Sequence, residues 1–382
     1  MKIVYILQSL AFKGGTERVI TEKANYLVDQ PNYDIYIITL TQQPTESNCY
    51  HLSDKINQIN LDIHDYTVYR YKYPMRLWKK WGMNQYIRKK LTKAVCKINP
   101  NIIIGIGHYK ADLICTLRCN AAKIIECHDG RMITSVLRKK WESNLIVKAI
   151  MPFYRWKYFR TIEHYADIVV TLTEGAKEEW KKAKKVIVIP NISTMPITHL
   201  TTCESKRIIA VGRLRWEKGF DRLIDIWKAV SFEHNDWHLS IFGDGALKDQ
   251  LKCKIQSEHI SNISICDTTT YISREYANSS ICLVTSYFEG FSLTLLEAIR
   301  HGLPCIAFDC PFGPRSIIEN NISGFLIEDG NNPIFIKKLR LLMEDESLRK
   351  QFSLAAIERS KHFDTNTIMK RWEDLFETII KS

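Results

Sequence analysis

No apolar stretch in this chain of 382 residues approaches the ~20 consecutive residues of a membrane-spanning helix, so none is expected. Cys-x-x-Cys is absent too. The 11 cysteines include Cys115/Cys119 and Cys305/Cys310, but neither pair has a flanking histidine, and the count is odd. They read as reduced core thiols of a cytoplasmic protein, with no metal site and no disulfide framework. The chain has no Asp-x-Asp, the carboxylate pattern that clamps a sugar-nucleotide diphosphate through a divalent metal. The Gly-Lys-Ser/Thr ending of a P-loop is also missing. Acid itself is missing between Asp65 and Asp112.

What is present points to two domains. The length exceeds the usual limit of one hydrophobic core, and 45% hydrophobic with 25% charged residues suits a globular protein. The opening run Met1-Lys-Ile-Val-Tyr-Ile-Leu7 is too short for a signal sequence and reads as a first strand. The net charge of +12 is lopsided: residues 1–190 carry 31 Lys+Arg against 17 Asp+Glu, and the remainder 23 against 25. The first half is thus suited to an anionic partner. Segments near 69–97 and 138–160 interleave basic and aromatic residues, as in Tyr69-Arg-Tyr-Lys-Tyr-Pro-Met-Arg-Leu-Trp78 and Arg138-Lys-Lys-Trp141.

Short β-like runs alternate with helical ones throughout, which predicts an α/β protein with parallel sheets. Expected strands in the first half are 3–7, 34–40, 102–106, 123–126, 168–171 and 186–189. The second half adds 208–211, 238–242, 263–265, 281–285, 305–308 and 324–327. The aperiodic Thr/Ser/Pro-rich stretch 191–206 reads as a linker between domains 1–190 and 207–364. A C-terminal helix around 365–382 is expected to pack back on the first domain.

Five places carry candidate chemistry. After strand 208–211, Gly212-Arg213-Leu-Arg-Trp216-Glu-Lys218-Gly219 leads into a helix. A glycine turn, fixed cations and a helix start make a diphosphate site. Arg213 offers a planar fork and Lys218 a point charge. Glu289 follows the strand 281–285, and Glu297 lies eight residues on, in a helix expected to start near Phe291. Carboxylates at strand ends of open α/β sheets face a ligand crevice, although a solvated loop Glu and an exposed helix Glu fit the spacing equally. Gly14 and Gly15 precede a helix expected from Thr16, and Gly243-Asp244-Gly245 repeats the strand–turn–helix arrangement. His128 follows strand 123–126; on its own it reads as structural or exposed.

Together these residues resemble the retaining family-4 glycosyltransferases of GT-B architecture, two Rossmann-like domains whose parallel sheets face across a central cleft. The resemblance rests on Gly14-Gly15-Thr-Glu-Arg18, Val211-Gly-Arg-Leu-x-x-Glu-Lys-Gly-Phe220, Glu289-Gly-Phe-(x)5-Glu297-Ala, Gly302-Leu-Pro304 and Phe308-Asp-Cys-Pro-Phe-Gly-Pro-Arg-Ser-Ile-Ile318. It implies that Arg213 and Lys218 hold the donor diphosphate, Glu289 contacts the donor sugar and Glu297 binds the ribose hydroxyls. It implies further that His128 contacts the sugar and that Gly14 and Gly15 let their loop approach the phosphates. Gly243, Asp244, Gly290, Phe291, Ser292 and Leu293 would line the donor pocket, with Trp216, Gly245 and Thr294 beside them. His128, Arg213, Lys218 and Glu289 form the catalytic set. The chain departs from the family at Ser316, where a glutamate is usual.

The resemblance implies a nucleotide-sugar donor, UDP-linked, with no cofactor and no metal. The implied acceptor is a polyprenyl-diphosphate or other lipid-linked saccharide of surface-polysaccharide or lipopolysaccharide synthesis. The enzyme would then be peripheral on the inner face of the cell membrane, its basic-aromatic segments meeting anionic lipid. Those segments would otherwise merely cover a helical core. Two other readings remain: a basic nucleic-acid-binding protein, which lacks any recognised motif, and a sugar-nucleotide epimerase on the same fold.

Overall fold

The structure is a computed structural model. It describes every residue except Tyr73, His108, 132–144, Thr194 and Ser382, and excludes the side chains of 145–151. The expected Arg138-Lys-Lys-Trp141 segment therefore lies outside the described residues. The chain divides into two compact units, Met1–Thr194 with Ile368–Ser382, and Met195–Thr367.

The first unit is built on seven strands: β1 (Lys2–Leu7), β2 (Asp34–Thr39), β3 (Asn57–Asn60), β4 (Ile102–Ile106), β5 (Ala122–Cys127), β6 (Ile168–Thr171) and β7 (Val186–Val188). Their order is β3-β2-β1-β4-β5-β6-β7, and every pair is parallel. The unbroken apolar runs of β1 and β4 follow from burial on both faces of such a sheet. β3 is absent from the expectations because Asn57-Gln-Ile-Asn60 has a single apolar residue. It forms an edge that needs only one backbone partner, and its side chains bond one another, Gln58 Nε2 donating to Asn60 Oδ1 at 2.8 Å.

The second unit holds β8 (Arg207–Val211), β9 (His238–Phe242), β10 (Ile263–Cys266), β11 (Ile281–Val284), β12 (Cys305–Phe308) and β13 (Gly324–Ile327). Their order is β10-β9-β8-β11-β12-β13, again all parallel. In the helix Phe220–Ser231, Phe220, Leu223, Ile224, Trp227 and Val230 are buried, the spacing of one core-facing stripe. In each sheet the strand order reverses at one point, between β1 and β4 and between β8 and β11. The loops leaving those strand ends diverge and open a crevice there.

Three expectations are corrected. Residues 195–206 are no free linker, because they belong to the second unit. Thr201 N donates to His301 O at 2.9 Å, Ser205 Oγ to Asn278 O at 2.8 Å, and Arg349 Nε to Cys203 O at 2.9 Å. The hydroxyl-rich composition that reads as a linker instead serves the turns beside it. The cysteines are free, but Cys49, Cys96 and Cys253 are exposed rather than core residues. Finally, the helix after the paired glycines begins at Gly15 and is capped by Gly14 in extended conformation, with no side-chain cap.

The C-terminal helix Thr365–Lys381 buries Ile368, Met369, Trp372, Leu375 and Phe376. From residue 368 on it belongs to the first unit, where Phe376 meets Tyr33 edge-on at 6.1 Å.

Candidate active site

The switch point of the second unit is where most of the candidate residues gather. Beyond β8 the chain is laced to the loop after β9: Gly212 N donates to Phe242 O at 3.0 Å and Leu214 N to Asp244 O at 2.8 Å. Gly243 is required because a Cβ there would strike the Gly212 carbonyl oxygen. A single helical turn, Trp216–Lys218, then ends at Gly219, whose φ of +63° and contact with the Thr285 carbonyl exclude any side chain. Thr285 Oγ1 returns a hydrogen bond to Gly219 O at 2.9 Å. The loops after β8 and β11 are thereby joined, which puts Lys218 against Glu289.

Lys218 Nζ lies 2.7 Å from Glu289 Oε1, and Ser286 Oγ donates to the same oxygen at 2.6 Å. Glu289 is only 8% exposed, and its carbonyl accepts from Gly313 N at 3.1 Å. The solvated-loop alternative is therefore excluded: this carboxylate is a buried, oriented group. Arg213 is exposed and makes no side-chain hydrogen bond or ion pair among the described residues. Asp244 is also exposed, 3.9 Å from Lys248 Nζ. Trp216 packs against Tyr287 and Phe288, with ring centres 6.1 and 5.6 Å apart.

The next helix runs Leu293–Arg300, two residues later than expected, because Ser292 acts as its cap and accepts from Leu295 N at 3.4 Å. Phe291 lies outside the helix, buried against Phe363, and Gly290 is half-buried. Leu293 opens the helix, and Thr294 ties it to the end of β8 by donating to Val211 O at 3.3 Å. Glu297 is half-buried and receives a hydrogen bond from the Tyr276 hydroxyl at 3.3 Å. Burial first, then the Glu297 charge, push that phenol well above its ordinary value, so Tyr276 remains a donor. Ser316, in the place of the family's glutamate, donates to Phe312 O at 3.1 Å.

Sequence reasoning missed Arg222, Ser286 and Tyr276. Arg222 is 7% exposed and holds the site's floor. It donates to Thr285 O and Ser286 O, each at 2.6 Å, pairs with Asp329 at 2.7 Å, and lies over the Tyr287 and Phe308 rings. Nothing in the pattern Phe-Asp-Arg-Leu-Ile marks one polar helix residue as the buried one.

Gly14, Gly15 and His128 belong to the first unit. Gly14 O accepts from Arg18 N at 3.2 Å, and Gly15 is exposed at the helix start. His128 is buried just past β5, with Nε2 3.2 Å from Glu126 Oε1.

A cation fixed on a carboxylate at a strand-end switch point, with a second cation beside it on the same loop, is an arrangement for anionic, phosphate-bearing ligands. The class is a doubly wound α/β enzyme of two parallel-sheet units. Residues 198–359 match the family model of glycosyl transferases group 1. The amylovoran biosynthesis glycosyltransferase AmsD of Erwinia amylovora is 29% identical over 389 residues, covering 98% of this chain and 99% of that protein. Among solved structures, S. aureus TarM in complex with fondaparinux, α-GlcNAc-glycerol and UDP has a TM-score of 0.75 at 16% identity, over 98% of this chain and 99% of that one. Anabaena HepE in complex with UDP and glucose has a TM-score of 0.72 at 15% identity, over 99% and 100%. The chain is a glycosyltransferase of GT-B architecture, and the match to the group 1 model falls in its second unit.

Proposed function

We propose that this glycosyltransferase is a retaining, metal-independent member of family 4. It moves a hexose or N-acetylhexosamine from a UDP-sugar to a lipid-linked saccharide in surface-polysaccharide synthesis, at the inner face of the membrane. The observation that carries the reading is the Lys218–Glu289–Ser286 cluster with Arg213 on the same loop. As the bond from the anomeric carbon to the diphosphate breaks, its electron pair leaves on the phosphate and positive charge develops on the sugar. Lys218 and Arg213 stabilise the departing phosphate, a role a divalent metal plays elsewhere. The acceptor hydroxyl attacks from the same face, and its proton passes to the departing phosphate. Glu289 orients the sugar, and Glu297 accepts from the ribose hydroxyls. UDP in the TarM and HepE structures and the amylovoran pathway of AmsD support donor and pathway.

A thermal-shift screen of nucleotide sugars, run with and without EDTA, tests donor and metal independence together. Glu297→Gln is expected to raise the donor KM by about ten-fold or more, the worth of a charged hydrogen bond. An unchanged KM for UDP release would remove the ribose role.

The membrane reading rests on exposure. In the helix Met75–Ile98 the core-facing residues Ile87, Leu91, Val95 and Ile98 lie in the second half. Its first half projects Trp78 at 79% and Trp81 at 65% exposure among Arg76, Lys79 and Lys80, so these rings cover no core. Phe153 and Trp156, stacked at 5.8 Å on another helix, are exposed as well. Exposed rings interleaved with cations suit the headgroup layer of an anionic bilayer. In the same unit a cavity of about 130 Å³, lined by Asp65, Lys80, Asn84, Tyr109, Lys110 and Tyr154 among others, is proposed for the polar end of the acceptor. Trp78→Ser with Trp81→Ser should weaken sedimentation with phosphatidylglycerol vesicles by about ten-fold. The melting temperature should stay put, and undiminished vesicle binding would sink the membrane assignment.

A further inference from the structure

Behind His128 lies a charged cluster to which the reaction scheme gives no part. Glu126, near the end of β5, is 1% exposed. Its Oε1 lies 2.5 Å from Lys23 Nζ and 3.2 Å from His128 Nε2. Lys23, equally buried, sits on the helix opened by Gly14 and Gly15. Its ammonium is 4.2 Å from the centre of the Trp372 ring, on the C-terminal helix. The contact to His128 is close but off the line of an aligned hydrogen bond. Tyr5 Oη, Glu126 Oε2 and His128 Nε2 are buried with no hydrogen-bond partner among the described residues.

Stability is a poor explanation for this pair. Removing two charges from water costs more than their attraction returns unless the remaining polar atoms are satisfied, and an apolar pair of equal volume often serves better. Here three polar atoms have no protein partner among the described residues. What the cluster does supply is geometry. A single carboxylate oxygen faces both the ammonium of the glycine-turn helix and the imidazole of His128. The ring's Nε2 edge is turned to the carboxylate, which leaves Nδ1 as the nitrogen for a ligand. Burial alone would push the Glu126 carboxyl up; the neighbouring Lys23 and His128 charges overcome it and hold the group at about 2. The anchor is therefore anionic throughout the neutral range.

We propose that Glu126 and Lys23 are positioning residues that lock the His128 ring and the glycine-turn helix to one shared oxygen, setting the imidazole against the transferred sugar. The inference rests on the reading of His128 as a sugar contact. It goes beyond that reading by naming what orients the ring.

The test compares His128→Ala with the neutral pair Lys23→Met/Glu126→Gln, which removes both charges at nearly constant volume. Both are expected to lower kcat for sugar transfer by about ten- to a hundred-fold, the effect of a small misplacement at a reacting centre. UDP affinity should be unchanged in His128→Ala, because that ring is read as touching the sugar alone, while Arg213, Lys218 and Glu297 belong to the second unit. A merely structural pair would instead shift the melting temperature and leave kcat of the folded enzyme alone. If His128→Ala leaves kcat unchanged, the sugar-contact reading falls and this proposal with it. If His128→Ala lowers kcat while the neutral pair retains it, only the positioning role is overturned. Should the neutral pair fail to fold, Glu126→Asp keeps the charge but draws the carboxylate back from His128. Reduced kcat there supports the proposal, and wild-type kcat in Glu126→Asp overturns it.

Discussion

Lys218→Ala is expected to lower kcat for UDP release by about 10²–10³-fold, the loss seen when one preorganised charge-stabilising donor is removed from an active site. Two effects act in the same direction. The departing phosphate keeps Arg213 but loses the ammonium fixed beside it. In addition, Glu289, 8% exposed and 2.7 Å from Lys218 Nζ, loses its counter-charge and retains, among the described residues, only the Ser286 hydroxyl. Most of the loss should appear in kcat rather than in donor KM, because charge on the phosphate grows as the bond breaks. Lys218→Arg should recover little, since a planar fork cannot replace a compact ammonium held against one carboxylate oxygen. Single-turnover assays of a UDP-sugar with each variant check this. A loss below about three-fold in Lys218→Ala would be too small for a phosphate-stabilising role.

Arg222→Met should unfold the second unit more readily, by about 3–5 kcal/mol. The methionine fills the space between the Tyr287 and Phe308 rings but leaves the Thr285 and Ser286 carbonyls without the donors that now lie 2.6 Å away. Asp329 is partly exposed and can turn to water, so the two carbonyls dominate. At roughly 2–4 °C per kcal/mol for a domain of this size, the melting temperature should fall by about 6–20 °C. Turnover should fall as well in the folded fraction, because the same contacts hold Ser286 beneath Glu289. A melting shift within about 2 °C would show that water replaces the guanidinium at little cost.

Legibility in the sequence followed burial. The strands of both parallel sheets read as apolar runs because sheets covered on two faces demand them, and only the polar edge β3 escaped. At the site, the glycines, Arg213, Lys218, Glu289 and Glu297 stood out because turns, strand ends and charge leave marks in local sequence. Arg222 and Tyr276 left none. Each is important through a partner 63 or 21 residues away, Arg222 through Thr285 and Tyr276 through Glu297, and no local spacing encodes that. The linker at 191–206 misled for a related reason. Serine and threonine look alike whether their hydroxyls face water or satisfy a neighbouring turn.

Beside the resemblance that pointed to the glycosyltransferase class, periodicity and glycine placement were enough by themselves to determine two doubly wound parallel-sheet units and the strand ends that carry the candidate residues. These depend on backbone propensity and on which residues tolerate burial, both local properties. Tertiary structure alone decided which charges are buried against one another: Lys218 with Glu289, Lys23 with Glu126, and Arg222 with the carbonyls of β11's loop. It also decided that Trp78 and Trp81 face outward. Charge pairing and exposure depend on what distant segments bring alongside, and only the folded chain makes that choice.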